Sequence, residues 1–125
     1  LKYVPKWIER RREIAKIYHR GLSDIDEVKL PPPPTNKTPY FDVYQNYVIR
    51  VKERDKLVDF LEEKSVETMV SWRIPNHLQT ALNLTHFSLP RTEKLSAEVL
   101  SLPMYPELSN EKVQYVIEAI QGFYK

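Results

Sequence analysis

The sequence contains no cysteine, and its only glycines are Gly21 and Gly122. The absence of cysteine excludes disulfide bonds and cysteine-ligated zinc sites, and it fits a reducing compartment such as the cytosol. The shortage of glycine excludes the glycine-rich loops that bind phosphate groups. No apolar run approaches the roughly 20 residues that a helix needs to cross a bilayer, and no signal-peptide pattern opens the chain. We therefore expect a cytoplasmic protein with no membrane partner.

The charge balance and the histidine spacing exclude further classes of function. Lysine and arginine number 19 and aspartate and glutamate number 17, and this small excess of +2 is not typical of a nucleic-acid-binding domain. Hydrophobic residues make up 42 % of the 125-residue chain, which is enough for the core of one domain. The histidines, His19, His77 and His86, lack the spacing of a metal site. No local motif combines a serine, a histidine and an aspartate, so the chain carries no self-sufficient catalytic apparatus.

The N-terminal region predicts a helix followed by a proline-rich connection. Proline favours the first turn of a helix, so Pro5 predicts a helix over about Pro5–His19 that ends at Gly21. Val28–Leu30 predicts a short strand. The following prolines, Pro31–Pro34, form either a rigid connector or a ligand for a proline-recognition domain.

The middle of the chain predicts a strand, a helix and a second strand. An alternation of side chains with a period of two residues indicates a strand over Val43–Val51. It places Val43 on one face and Tyr44 on the other. A helix then extends from about residue 53 to Lys64. The run Val66–Trp72 predicts the second strand.

The C-terminal region continues the alternation of helices and strands. We expect one helical turn at His77–Leu82, a helix over Arg91–Val99, a strand over Leu100–Met104, and a last helix capped by Ser109 or Asn110. The last helix carries a buried apolar stripe, which comprises Val113, Val116, Ile117, Ile120 and Tyr124. The element order predicts an α+β fold, in which a small antiparallel or mixed sheet is covered by helices on one face.

The segment Thr68–Leu82 is the strongest candidate for a binding site. Pro75 restricts its own backbone and that of the residue before it, so the chain turns sharply where the strand ends. Polar and aromatic side chains cluster around this turn: Trp72, Arg73, His77 and Gln79. Loops held by regular structure on both sides are common binding rims. The alternative is an ordinary loop in which His77 only caps a short turn.

A run of arginines, Arg10–Arg12, lies in the first helix between Lys6 and Lys16. Basic runs on a helix can bind nucleic acid, but Glu9 and Glu13 interrupt this one. A solvated helix face and an interdomain contact are the other interpretations of the run. We expect no nucleic-acid partner.

Several ordered motifs resemble the DegT/StrS family of sugar aminotransferases. These motifs are Tyr44–Val51 followed by Arg54 and Asp55, the loop Pro75–Gln79, Pro90 and Glu93, and the late segment Leu100–Leu108. The resemblance covers essentially the whole chain. It implies an enzyme with the aspartate-aminotransferase type of fold (fold type I) that uses pyridoxal 5′-phosphate. Such an enzyme moves an amino group, usually from glutamate, onto a keto sugar carried by a nucleotide, for surface polysaccharide or antibiotic sugars.

The resemblance implies that this chain is the C-terminal small domain of such an enzyme, which forms a homodimer. Residues 1–22 would be the interdomain helix and residues 23–125 the substrate-side domain. The large domain that carries the cofactor and its Schiff-base lysine would be absent, so this chain alone would bind no cofactor and be inactive. The lysines Lys52, Lys56 and Lys64 match no family lysine motif.

The expected substrate-binding residues are His77, Trp72, Arg73 and Ser71, with His77 toward the sugar. Ser71 and Trp72 stand where the family often has His-Tyr, so the tyrosine hydroxyl is missing here. Ser65 replaces the usual glycine after a helix, which costs up to about 1 kcal/mol if the residue takes positive φ. The alternative function is a regulatory or nucleic-acid-binding module that uses the arginines of the first helix. A family lysine motif upstream of Leu1 would decide between the two.

Overall fold

The structure, a computed structural model, describes residues 1–35, 37 and 39–125. In chain order its elements are α1 (Val4–Leu22), β1 (Val28–Lys29), β2 (Tyr47–Val51), α2 (Arg54–Glu63), two 3₁₀ turns (Asn76–Leu78 and Thr80–Leu82), α3 (Pro90–Glu98), β3 (Val99–Leu102) and α4 (Asn110–Phe123). No helix in this described part of the chain is long and apolar enough to cross a membrane.

The three strands form one antiparallel sheet in the order β1-β2-β3. In the central strand, Val51 lies opposite Val28 of β1, and Ile49 lies opposite Leu100 of β3. The predicted α+β class with a small antiparallel sheet is therefore confirmed, although β1 is only two residues long.

The core lies between this sheet and the apolar faces of the helices. Tyr47, Ile49 and Val51 are buried on one face of β2, as the period-two alternation of a strand requires. The ring of Tyr18 from α1 stacks on that of Tyr47, with 5.0 Å between the centroids. The helices add further fully buried side chains, namely Ile14, Leu22, Leu57, Leu61, Val113, Ile117 and Ile120.

The strand predicted from Val43 begins only at Tyr47, and the faces assigned to Val43 and Tyr44 were wrong. Tyr44 takes the left-handed conformation, with φ at 51°, so the alternation is broken just before β2. Its side chain is buried and its hydroxyl donates to the carbonyl of Pro32 at 2.7 Å, whereas Val43 is exposed. An apolar alternation cannot reveal such a backbone reversal.

The second strand predicted over Val66–Trp72 is not formed. The segment makes only an isolated bridge, in which Met69 exchanges two backbone hydrogen bonds with Ser101 of β3. Beyond the bridge, the carbonyl of Trp72 accepts a hydrogen bond from the Ser96 hydroxyl of α3 instead of extending the sheet. The Trp72 carbonyl is therefore bonded to a side chain of α3 and not to a neighbouring strand.

Helix boundaries also differ from prediction at one important point. Gly21 does not end the first helix, since α1 continues through Leu22. A Cβ atom on Gly21 would lie 2.7 Å from the side chain of Ile117, so the glycine permits close approach of α1 to α4. The predicted cap of the last helix is confirmed, because the Ser109 hydroxyl accepts the Lys112 N–H.

Candidate functional site

The predicted binding rim is an irregular loop, residues 71–82, between the Met69 bridge and the segment that leads into α3. Pro75 is extended, with φ −55° and ψ 145°, and the two 3₁₀ turns follow it. Trp72 exposes 65 % of its surface, whereas His77 exposes only 4 %. The loop therefore presents its aromatic residue to solvent and keeps most of the imidazole inside.

Helix α3 holds this loop at two positions through side-chain contacts. The Ser96 hydroxyl donates to the carbonyl of Trp72. The Nε2 atom of His77 lies 3.0 Å from Oε1 of Glu93, and the same oxygen accepts the N–H of Leu89 at 3.0 Å. Two hydrogen bonds thus fix the Glu93 carboxylate between the start of α3 and the loop.

These contacts favour the ionised form of the Glu93 carboxyl. The hydrogen bond with His77 is the larger cause that holds the pKa of Glu93 below its ordinary value, and the Leu89 N–H adds to it. A glutamate of ordinary pKa is already ionised at neutral pH, and these hydrogen bonds extend that ionised state to lower pH. An ionised carboxylate only accepts hydrogen bonds, so the Nε2 atom of His77 must carry the proton in their contact.

A second chain of contacts holds Arg73. Its guanidinium lies 2.9 Å from Oδ1 of Asp55, which also accepts the Nε–H of Arg54 at 2.7 Å. Arg54 is only 4 % exposed and donates to the carbonyls of Ser96 and Val99. A buried arginine therefore fixes the carboxylate that in turn orients the exposed Arg73.

The four predicted site residues divide between two neighbouring grooves that share Trp72. One groove, of about 560 Å³, is lined by Ser71, Trp72 and Arg73 together with residues of the 3₁₀ turns. The other, of about 530 Å³, is lined mainly by apolar side chains and contains His77 beside Trp72. The structure thus brings Ser71, Trp72 and Arg73 to one groove and places His77 in the neighbouring groove, which Trp72 also lines.

Sequence reasoning did not identify the residues that hold the loop. In the sequence, Arg54, Asp55 and Glu93 were noted only as parts of the family motifs. Ser96 was not singled out at all. Glu93, Asp55 and Ser96 lie 16, 18 and 24 positions from their partners in the loop. Arg54 acts on the loop through Asp55. No local spacing rule connects residues so far apart.

The grooves do not fit pyridoxal phosphate by themselves. The cofactor needs a lysine amine and donors for its phosphate, and no lysine lines either groove. Within residues 1–35, 37 and 39–125, no group of three or more His, Cys, Asp or Glu side chains could hold a metal ion.

The arginines of α1 are partly buried and contact other segments of the same chain. Arg11 donates to the carbonyls of Tyr44, Gln45 and Met104 at 2.7 to 3.2 Å. Arg10 and Arg12 make further contacts, with the carbonyls of Leu108, Asp42 and Thr35. These guanidiniums hold loops of the same chain, which does not favour a nucleic-acid surface on this helix.

Comparison with known proteins identifies relatives over nearly the full chain. The model of the DegT/DnrJ/EryC1/StrS aminotransferase family matches residues 1–121. The chain is 38 % identical to a pleiotropic regulatory protein of Geobacillus stearothermophilus, and 34 % identical to the dTDP-3-amino-3,6-dideoxy-alpha-D-galactopyranose transaminase of Aneurinibacillus thermoaerophilus. Each match covers 98 % of this chain and 34 % and 33 % of the relatives, respectively, so the chain spans about a third of their length.

The fold is also similar to that of a solved aminotransferase, TlmJ from Streptoalloteichus hindustanus. The TM-score is 0.88 at 33 % sequence identity, over 98 % of this chain and 33 % of that one. The matched part is again about a third of the longer protein.

Proposed function

Because this chain belongs to the DegT/DnrJ/EryC1/StrS aminotransferase family, we propose that it is the C-terminal small domain of a sugar aminotransferase. The complete enzyme would use pyridoxal 5′-phosphate to move an amino group from an amino acid, glutamate, onto a keto sugar carried by a nucleotide. The observation that carries this proposal is the match of the family model to residues 1–121. The similarity to a transaminase whose name specifies a dTDP-linked sugar supports the nucleotide-linked substrate.

In this proposal residues 1–22 join the two domains and residues 23–125 form the substrate side of the site. When bound, pyridoxal phosphate supplies the covalent capture and transfer of the amino group. Since the grooves beside Trp72 contain no lysine, we assign the lysine and the phosphate contacts of the cofactor to the large domain. The lack of cysteine fits a cytoplasmic enzyme, and we expect it to act as a homodimer.

Each predicted site residue has a distinct role in this proposal. Trp72 provides a flat apolar surface that lines both grooves. Arg73, oriented by Asp55, binds an oxygen of the nucleotide diphosphate, and Ser71 contributes a hydroxyl beside it. His77 forms a hydrogen bond with the sugar, and the narrow exposure of its ring restricts that contact to one direction.

The regulatory alternative has less support, although one similar protein is named a pleiotropic regulatory protein. The arginines on which it depended are engaged with backbone carbonyls of this chain. Those hydrogen bonds orient the guanidiniums toward the protein's own carbonyls and leave fewer of their five donors for phosphate.

The His77→Ala variant of the complete enzyme tests the proposal. Loss of one substrate hydrogen bond costs roughly 1–3 kcal/mol, so we expect kcat/KM for the nucleotide sugar to fall about tenfold or more. Cofactor binding should be unchanged, as measured by the absorbance of the bound pyridoxal phosphate.

The His86→Ala variant is the matched control. His86 lies beside Phe87 and lines neither groove, so its removal should leave sugar kinetics unchanged. Normal kinetics in the His77→Ala enzyme, together with a lower melting temperature, would make His77 a structural residue and contradict its substrate role.

A further inference from the structure

Glu93 contacts both the predicted substrate-binding loop and the start of the helix that supports it. Its Oε1 atom accepts the N–H of Leu89, the residue that precedes α3, at 3.0 Å. The same atom lies 3.0 Å from Nε2 of His77. Since the backbone of a helix start is fixed, the Leu89 amide holds this oxygen in place.

This arrangement makes the two nitrogens of the His77 ring unequal. A neutral imidazole carries one proton, and its second nitrogen is then an acceptor. With a carboxylate oxygen against Nε2, the proton resides on Nε2 and Nδ1 becomes the acceptor. A ligand group that meets Nδ1 of the neutral ring must therefore donate a hydrogen bond.

The sugar and the diphosphate of a nucleotide sugar differ in whether they can donate a hydrogen bond. A sugar hydroxyl can donate a hydrogen bond, whereas an ionised diphosphate oxygen only accepts. The neutral ring therefore suits the sugar and not the diphosphate. Arg73, which carries only donors, lines the other groove and suits the diphosphate.

We propose that Glu93 is a positioning residue that fixes the Nε2–H form of His77, so that Nδ1 selects a sugar hydroxyl. This inference rests on the proposed function for the identity of the ligand. The positioning of His77 by Glu93 is a property of the chain alone, and it is testable without substrate.

The first experiment is NMR of the 125-residue chain labelled with ¹⁵N-histidine. The His77 signals are assigned by their loss in the His77→Ala variant. A ring N–H protected by a hydrogen bond exchanges slowly with water, so we expect a visible Nε2–H signal for the neutral ring of His77.

Three variants separate positioning from simple loss of a charge on α3. Glu93→Ala should abolish the protected Nε2–H signal. Glu93→Gln should retain it, because the Leu89 N–H still selects the amide oxygen as its acceptor and keeps that oxygen beside Nε2. Glu98→Gln is the matched control: it removes a carboxylate of the same helix that contacts Arg50, and it should leave the His77 signal unchanged.

The second experiment measures sugar kinetics in the complete enzyme. Glu93→Ala should lower kcat/KM about tenfold, as His77→Ala does, and the double variant should lose no more than either single variant. The nucleoside diphosphate part of the substrate, added free, should inhibit Glu93→Ala and His77→Ala as strongly as the wild type. Its inhibition should weaken in Arg73→Ala.

Each outcome of these experiments supports or overturns one part of the proposal. A protected His77 signal that survives in folded Glu93→Ala overturns the positioning role, as does a roughly hundredfold, additive loss in the double variant. Weaker diphosphate inhibition in His77→Ala overturns the selection of a sugar hydroxyl. Normal sugar kinetics in His77→Ala overturns the proposed function of His77, whereas loss of the NMR signal in Glu93→Ala still supports its positioning.

Discussion

At the scale of single residues, Ser65 shows how one position can be locally unfavourable and still be fixed by its surroundings. Its φ of 58° lies in the left-handed region that favours glycine. The N–H of Ser65 bonds to the carbonyl of Glu62, and that of Val66 bonds to the carbonyl of Leu61. These two hydrogen bonds form a Schellman motif at the end of α2, which requires this conformation.

The substitution Ser65→Gly should therefore stabilise the chain by up to about 1 kcal/mol, because glycine adopts positive φ without a Cβ clash. The measurement is the free energy of unfolding in urea, obtained by linear extrapolation. Ser65→Ala is the control: it retains the Cβ atom and should change stability by less than about 0.5 kcal/mol. Equal stabilisation by both variants would show that relief of the unfavourable positive φ at residue 65 is not the cause.

At the scale of elements, the contact between α1 and α4 depends on a missing side chain. Gly21 lies on α1 against Ile117 of α4, where an added Cβ would approach two side-chain carbons at 2.7 Å. Gly122, on α4, has no neighbouring atom within 4 Å of such a Cβ among the described residues. A side chain would therefore clash with α4 at Gly21, whereas Gly122 has room for one.

Gly21→Ala should destabilise the chain by about 1–3 kcal/mol, because Ile117 is buried and has little room to move. Gly122→Ala should instead stabilise it by up to about 1 kcal/mol, since alanine is the better helix former. Thermal unfolding of the two variants beside the wild type measures both effects. A stabilised Gly21→Ala protein would mean that the helices separate at low cost and that their contact is loose.

The loop and helix α3 form a second pair of coupled elements. Trp72 and His77 in the loop contact Ser96 and Glu93, one helical turn apart on α3. A loop fixed at two points presents its exposed side chains in one arrangement, which lowers the entropy lost on binding a ligand. This arrangement supports the proposal that the loop binds the substrate.

At the scale of the whole molecule, the chain has a core of its own but spans only about a third of the length of its relatives. The grooves beside Trp72 carry an arginine, an imidazole and an indole, but no lysine. Transfer of an amino group through pyridoxal phosphate needs a lysine beside the cofactor. In the proposed function, these grooves are therefore one wall of an active site that the large domain completes.

The isolated 125-residue chain should consequently show no transamination when pyridoxal phosphate, glutamate and a nucleotide-linked keto sugar are added. Reduction with borohydride followed by peptide mapping should give only sparse, scattered lysine adducts. The complete enzyme serves as the positive control and should yield one labelled lysine outside this chain. A single stoichiometric adduct on a lysine of residues 1–125, accompanied by turnover, would contradict the assignment of domains.

The sequence by itself determined the features that depend on residues close together in the chain. Apolar spacing located the helices and the strands β2 and β3, and Ser109 was recognised as a cap because its acceptor lies three residues from the donor. The family resemblance also followed from local motifs in their order. Helical hydrogen bonds join residues four apart, so their signals remain in any short stretch of sequence.

Only the tertiary structure decided which distant groups meet. Gly21 was interpreted as a helix end because its partner, Ile117, lies 96 positions away. Three further features likewise depend on how the elements pack: the left-handed backbone of Tyr44, the contacts of the α1 arginines with loops, and the His77–Glu93 pair. Such contacts form because the core brings their elements together, and buried polar groups then take whichever partners lie within hydrogen-bond distance.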